Sequence, residues 1–317
     1  MAPALIFLGL TPNTPADRQK LARALQVLGA EDHQLEVRPG AEPESTIIGV
    51  TGEAHLEEII DRLKREFEVA ASVGRPMVAY LETLTRSAEG SAKHVRMAHG
   101  HGEYAHISLR VHPAEAGSGY SFEDTTIGGA IPKRFMTSIE DAVKESTANG
   151  ALRGYPILDV RVEVHDGSYH DTESTDAAFR TAAALAFQEA ARKARPLLLE
   201  PVMQVVVRAD NRHVKTVLEG VLMRRGEIQG RAHEPGQEVI TAHVPLAELF
   251  GFGGQLRAET HGHASCSIQF AYYQPVVHGP AGDDDRISFV GAPRRPAPNL
   301  RSSTASVPEP HDINTEA

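Results

Sequence analysis

The chain has a single cysteine, Cys266, in 317 residues. No intrachain disulfide can form, and a metal site built on cysteine pairs is excluded. A lone thiol fits a reducing compartment, so the cytoplasm is the expected location. Long apolar runs are missing too. The first of them, residues 4–10, is far too short to span a bilayer and has no basic leader before it; no membrane role is expected. No lysine directly follows a glycine. A phosphate-cradling loop of the Gly-x-x-x-x-Gly-Lys-Ser/Thr type is therefore absent from these residues. His-Glu-x-x-His, paired Cys-x-x-Cys and a Gly-x-Gly-x-x-Gly opening a helix after a strand are absent as well. No spacing signals a nucleophile with its base, or a pair of acids. The expectation is a protein without a catalytic centre and without a cofactor. The net charge is −10. That excludes a wholly basic nucleic-acid coat, and no DNA partner is expected, while a local RNA contact remains open.

What is present is the composition of a soluble globular chain, with 41% hydrophobic and 23% charged residues. The length suits two or three domains. Residues 1–81 read as strand, helix, strand, strand, helix, strand. Residues 4–10 form the first strand, and Asp17 opens a helix through Leu21, Ala24, Leu25 and Leu28. Leu56, Ile59, Ile60, Leu63 and Phe67 recur at helical spacing. Arg62, Lys64 and Arg65 fall on the opposite, solvated face. Residues 199–276 repeat this order, with a helix expected over 246–257 despite three glycines. Each unit reads as a βαββαβ sandwich, an antiparallel sheet backed by two helices.

Between them, residues 82–198 contain strands near 105–111 and 157–164 and a long alanine-rich helix starting near Asp176. Phe179, Ala183, Ala186, Phe187, Ala190 and Ala194 form its buried face, and Pro196 stops it. Directly before this helix lies Asp166-Gly-Ser-Tyr-His-Asp171, a polar run with an aromatic and a histidine. It reads as a loop set on a rigid element, a device for reaching into a partner. From about residue 277 onward Asp, Pro, Arg, Ser and Thr dominate, and this tail is expected to be disordered.

The ordered words of the sequence resemble the C-terminal half of bacterial translation elongation factor G. In the first unit these are Ser45-Thr-Ile-Ile-Gly-Val-Thr-Gly-Glu-Ala-His-Leu-Glu57 and Asp61-Arg-Leu-Lys-Arg-Glu-Phe67. In the second they are Gly128-Gly-Ala-Ile-Pro132, Gly154-Tyr-Pro156 and Asp166–Asp171, and in the third Arg224-Arg-Gly226, Val244-Pro-Leu246, Phe250-Gly251 and Leu256-Arg257. The resemblance implies an α+β chain, with two ferredoxin-like domains flanking a split βαβ domain of ribosomal-protein type. It implies a shape that mimics transfer RNA, and a ribosome-binding role in translocation. The tip of the middle domain would contact ribosomal RNA in the small-subunit decoding region through Gly128, Gly129, Ser168, Tyr169, His170 and Asp171.

Two departures stand out. The segment His99-Gly-His-Gly-Glu103 replaces one that usually carries arginine and glutamine, and His263 stands where arginine is usual. Loss of a planar cationic fork weakens grip on phosphate. His99, His101 and His106, with His261 and His263, also invite a zinc site, but the resemblance runs through both segments without a metal, and none is expected. Any GTP dependence would come from outside these 317 residues, a separate GTPase being one candidate partner. A different class of function is an interaction module, in which the apolar start from Leu5 to Leu10 covers an interface. A third is a degenerate paralogue with no translational role.

Overall fold

The structure is a computed structural model and describes residues 3–40, 42, 44–98 and 101–276, with backbone only at Ala98 and His101. The expected disordered tail lies outside the described residues, as does His99.

The first unit consists of β1 (Ile6–Pro12), α1 (Pro15–Glu31), β2 (Glu36–Pro39), β3 (Thr46–Val50), α2 (Glu53–Arg65), β4 (Ala71–Val73) and β5 (Met77–Val78). Its sheet runs β2-β3-β1-β4, with β5 also on β1, and every pairing is antiparallel. Alternation in β1 sends Ile6, Leu8 and Leu10 under the helices. Helix α1 starts at Pro15, not at Asp17. Thr14 is its cap and accepts from the Asp17 N–H at 3.1 Å, and Pro15 fills the first turn, where no N–H is needed. The apolar start is spent on the chain's own core, since Leu5, Ile6, Leu8 and Leu10 are all buried. Phe7 is covered by the Arg38 guanidinium at 4.9 Å. These residues do not offer the free interface that the interaction-module reading placed there. Arg62 pairs with Glu31 and Glu66 and so ties α2 to α1.

The middle unit contains β7 (Ala88–Ala98), β8 (His101–Pro113), β9 (Tyr120–Asp124), α3 (Met136–Ala148), β10 (Val160–Ser168) and α4 (Asp176–Lys193). The sheet order is β7-β8-β10-β9. β9 and β10 are parallel, joined through α3, which makes the βαβ crossover. Thr175 caps α4. Phe179, Ala183, Ala186, Phe187, Ala190 and Ala194 are all fully buried, as the periodicity predicts. Alanine on this face lets the helix sit close to the sheet: a Cβ at Gly90 of β7 would overlap the helix backbone at Ala186 and Ala190.

The third unit has β11 (Leu197–Asp210), α5 (Val214–Leu222), β12 (Glu227–Glu234), β13 (Gln237–Pro245), α6 (Phe252–Glu259) and β14 (Ala264–Pro275), in sheet order β12-β13-β11-β14. The single helix expected over 246–257 is two pieces, a 3-10 turn at Leu246–Glu248 and α6, with the break at Gly251. A short strand, β6 (Leu81–Thr83), precedes the middle unit in sequence yet pairs with β11. The two flanking units share one continuous hydrophobic core, and the middle unit has its own. The whole is the α+β architecture expected, two antiparallel βαββαβ sheets with a split βαβ unit between them. Among the described residues no helix is long and apolar enough to cross a membrane.

Candidate functional site

One end of the middle sheet gathers two segments far apart in sequence. β10 does not stop where the polar run begins. It continues through Asp166 and Ser168, beyond a β-bulge between Val164 and Asp166, so the first half of the expected loop is strand. A bulge bends its strand and re-aims the residues after it. Only residues 169–175 form the connection to α4.

That connection is pinned. The Ser174 hydroxyl donates to the Tyr104 carbonyl at 2.7 Å and accepts from the His170 N–H at 2.9 Å. The Ser174 N–H returns to the His170 carbonyl at 3.1 Å, and the Tyr104 N–H donates to the Glu173 carbonyl at 3.0 Å. One turn is thereby fastened to β8 from both sides. Tyr169 and His170 project from it, with Tyr169 40% exposed and the His170 side chain 56% exposed. Asp171 is exposed beside them. The Thr172 hydroxyl lies 3.2 Å from His170 Nδ1.

Ser168 behaves differently. Its hydroxyl is 2.8 Å from the Tyr104 hydroxyl and 3.4 Å from His106 Nδ1. His106 Nε2 continues to the Ser91 hydroxyl at 3.1 Å, and that to the Ser108 hydroxyl at 2.8 Å. The structure therefore spends Ser168 on a polar network across β7, β8 and β10. The Lys93 ammonium sits over the Tyr104 ring at 5.1 Å.

The second segment is the turn between β9 and α3. Gly128 and Gly129 have φ of +70° and +76°, and a Cβ on either would meet only open space. Glycine is needed here for its backbone, and two consecutive left-handed residues leave the chain bare. Both flanks are fixed. The Thr125 N–H and hydroxyl reach the Val164 carbonyl at 2.9 and 3.1 Å, and the Thr126 N–H and hydroxyl reach Asp124 at 3.0 and 2.7 Å. On the far side Ile131 is buried and packs on Gly167 so closely that a Cβ there would stand 2.5 Å from Ile131 Cδ1. This contact holds the two segments side by side. Sequence reasoning missed Ile127, which is 88% exposed at the apex. It also missed the anchors Tyr104 and Ser174, whose only signal was a Ser-Thr pair ahead of a helix.

The charge around this end is mixed. Asp124, Asp166 and Asp171 are exposed, and so are Lys93, Lys133 and Arg134. The Arg134 guanidinium lies over Phe135 at 4.6 Å. Such a surface can present shape, an aromatic ring, an imidazole and bare backbone to a partner, but no concentrated cationic patch. Among the described residues no three histidine, cysteine or acidic side chains converge as metal ligands. His106 is held by serines, as above, and His263 Nδ1 lies 3.2 Å from Asp210 and its ring stacks on His213 at 5.9 Å.

Three family models match in succession. They are "Elongation Factor G, domain III" over residues 1–75, "Elongation factor G, domain IV" over 76–195 and "Elongation factor G C-terminus" over 197–282. The chain belongs to the elongation factor G family. A crystal structure from Thermus thermophilus is similar at 35% sequence identity and a TM-score of 0.67, covering 86% of this chain and 41% of that one. The chain thus spans under half the length of that relative. The part it carries is the one without a GTPase site, consistent with the missing phosphate loop. The domain IV match contains both segments of the candidate site.

Proposed function

We propose that this chain acts in the elongation phase of translation by binding the ribosome. The end of the middle unit enters the small-subunit decoding region and touches ribosomal RNA through Gly128, Gly129, Tyr169, His170 and Asp171, with Ser168 holding the strand beneath them. The arrangement of the three units stands in for a transfer RNA, and the work is done in the cytoplasm. The observation that carries this reading is the pairing of two rigid, exposed segments at one end of a domain IV fold, fixed by the Ile131–Gly167 contact. Tyr169 is suited to stack on a base or sugar and His170 to hydrogen-bond to one. GTP hydrolysis lies outside these residues, and we propose that a GTPase, on a separate chain or joined to this one, supplies it.

Co-sedimentation with ribosomes tests the reading. Tyr169→Ala/His170→Ala should leave thermal stability unchanged, because both side chains are exposed. It should weaken ribosome binding about 5- to 150-fold, if one stacked base worth about 1–3 kcal/mol is lost. Binding indifferent to the double substitution would refute the tip contact. Absence of binding by the unaltered chain, with and without added GTPase, would refute the ribosomal role.

A further inference from the structure

The end of the middle unit opposite the tip holds a fully buried carboxylate, Glu82 on β6. Five consecutive backbone N–H groups converge on it. Ala151 and Leu152 donate to Oε2 at 2.6 and 2.9 Å. Arg153, Gly154 and Tyr155 donate to Oε1 at 2.7, 3.0 and 3.2 Å. Residues 151–155 are neither helix nor strand. Successive N–H groups turned inward make an anion-binding concavity, and here the anion is a side chain of the same protein.

The backbone around Glu82 has two allegiances. On one edge β6 pairs with β11, Glu82 opposite Leu198. On the other, the Glu82 N–H donates to the Pro156 carbonyl and the Leu158 N–H to the Glu82 carbonyl, both at 2.8 Å. A three-residue strand is therefore laid between the sheet of the third unit and a loop of the middle one. Two residues before Glu82, Tyr80 has its ring 5.4 Å from that of Tyr155. Gly150, at φ +64°, opens the loop, and a Cβ there would stand 2.7 Å from Glu82 Oε1.

The same place governs α4. The Gly150 carbonyl accepts from the Gln188 amide of that helix at 2.8 Å. Three and four residues beyond Glu82, the Thr85 and Arg86 N–H groups take the Ala194 carbonyl at 3.2 and 3.3 Å, and the Arg86 guanidinium takes the Lys193 carbonyl at 2.9 and 2.7 Å. The helix whose other end leads out of the tip connection is thus held at its base by the Glu82 segment.

We propose that Glu82 is a positioning residue that locks the angle of the tip-bearing unit on the third sheet. With the carboxylate in place, the loop 150–155, β6 and the base of α4 form one rigid joint. Without it, five donors lose their acceptor and the arm swings. This goes beyond the proposed function and holds whatever the tip touches.

Native-state hydrogen exchange on the unaltered chain is the first test. The amides of residues 151–155 should exchange as slowly as those of the β8 core, although they lie in a loop. Exchange as fast as that of the open turn at 127–129 would overturn the proposal. The second test reads the angle. Spin labels at Lys215→Cys and Thr137→Cys, both on helix surfaces, in a Cys266→Ser background report the distance from the third unit to the tip side. The parent should give one narrow distribution. Glu82→Gln, which turns an NH2 toward the donors, and Gly150→Ala should each at least double its width. Both variants folded, with the parent's narrow distribution, would overturn the proposal. Should both fail to fold, the exchange result on the unaltered chain decides. No ribosome enters either test, so failure here is separate from failure of the ribosomal reading.

Discussion

Gly167→Ala is the sharpest perturbation of the tip. The added methyl would stand 2.5 Å from Ile131 Cδ1, 2.6 Å from Ile131 Cγ1 and 2.6 Å from the His106 carbonyl oxygen. Two of these neighbours belong to a buried side chain and one to the backbone of β8. Ile131 is only 2% exposed, so it cannot move aside without opening the core. The carbonyl cannot yield without disturbing the β8–β10 ladder, where Gly167 pairs with Ile107. Overpacking of this kind costs about 1–3 kcal/mol. For a unit the size of the domain IV match, residues 76–195, an unfolding entropy of about 2.1 cal/mol/K per residue makes each kcal/mol worth about 4 °C. Calorimetry should therefore show the transition of the middle unit lowered by about 4–12 °C. Ribosome binding, measured well below that transition, should fall as well, because the methyl pushes the two segments apart. Gly128→Ala provides the contrast: it meets no neighbour, and its cost is backbone strain alone, about 1–2 kcal/mol. An unchanged transition in Gly167→Ala would refute the packing of Ile131 on Gly167, and with it the argument that the segments form one surface.

Other consequences are more local. Phe179→Ala empties a fully buried position whose ring lies 4.6 Å from that of Phe135; it should cost about 3–5 kcal/mol, read by chemical denaturation, and a loss under about 1 kcal/mol would contradict the core described. The Thr14 hydroxyl, donating to Asp17 at 2.6 Å, holds that carboxyl below its ordinary value of 3.8. A depressed folded pKa contributes stability that is present above about pH 3.8 and lost as pH falls through the folded value. Thr14→Ala should therefore cost about 0.5–2 kcal/mol at about pH 7 as a lost cap, and its gap from the parent should narrow at about pH 3; an equal gap at both pH values would rule out the Asp17 linkage. Burial pushes the Cys266 thiol up, and thiolate is the reactive form. A disulfide reagent at about pH 8 should label the folded chain roughly tenfold or more slowly than the chain in urea, and equal rates would place Cys266 at the surface.

The tip was legible in part. Gly128 and Gly129 were readable as a bare turn, because paired glycines before an Ile-Pro have few other uses. Tyr169, His170 and Asp171 sit where the polar run placed them, at the exposed end. Ser168 does not share their exposure. Asp-Gly-Ser has the composition of a turn, yet the strand carries on through it past the bulge, and the pleat aims the hydroxyl at Tyr104 and His106. Three strands were not readable at all. β7 faces its helix with Gly90 and Ala92, too small to give a hydrophobic alternation. β9 is short, and β12 is a polar edge strand with no buried residue.

By itself the sequence determined the α+β class, the order of the units, the buried face of α4 and the lack of a phosphate loop. These are properties of local pattern: a period of 3.6 or 2, a capping residue, a missing lysine. Only the tertiary structure decided that Ile131 closes on Gly167, that the apolar start lies in the core and that β6 serves the third sheet from a place in sequence before the middle unit. It alone brought Glu82 to the five N–H groups of residues 151–155. Each of these joins residues tens of positions apart, and a buried carboxylate in a short Leu-Glu-Thr strand carries no mark of its partners until the chain has folded around it.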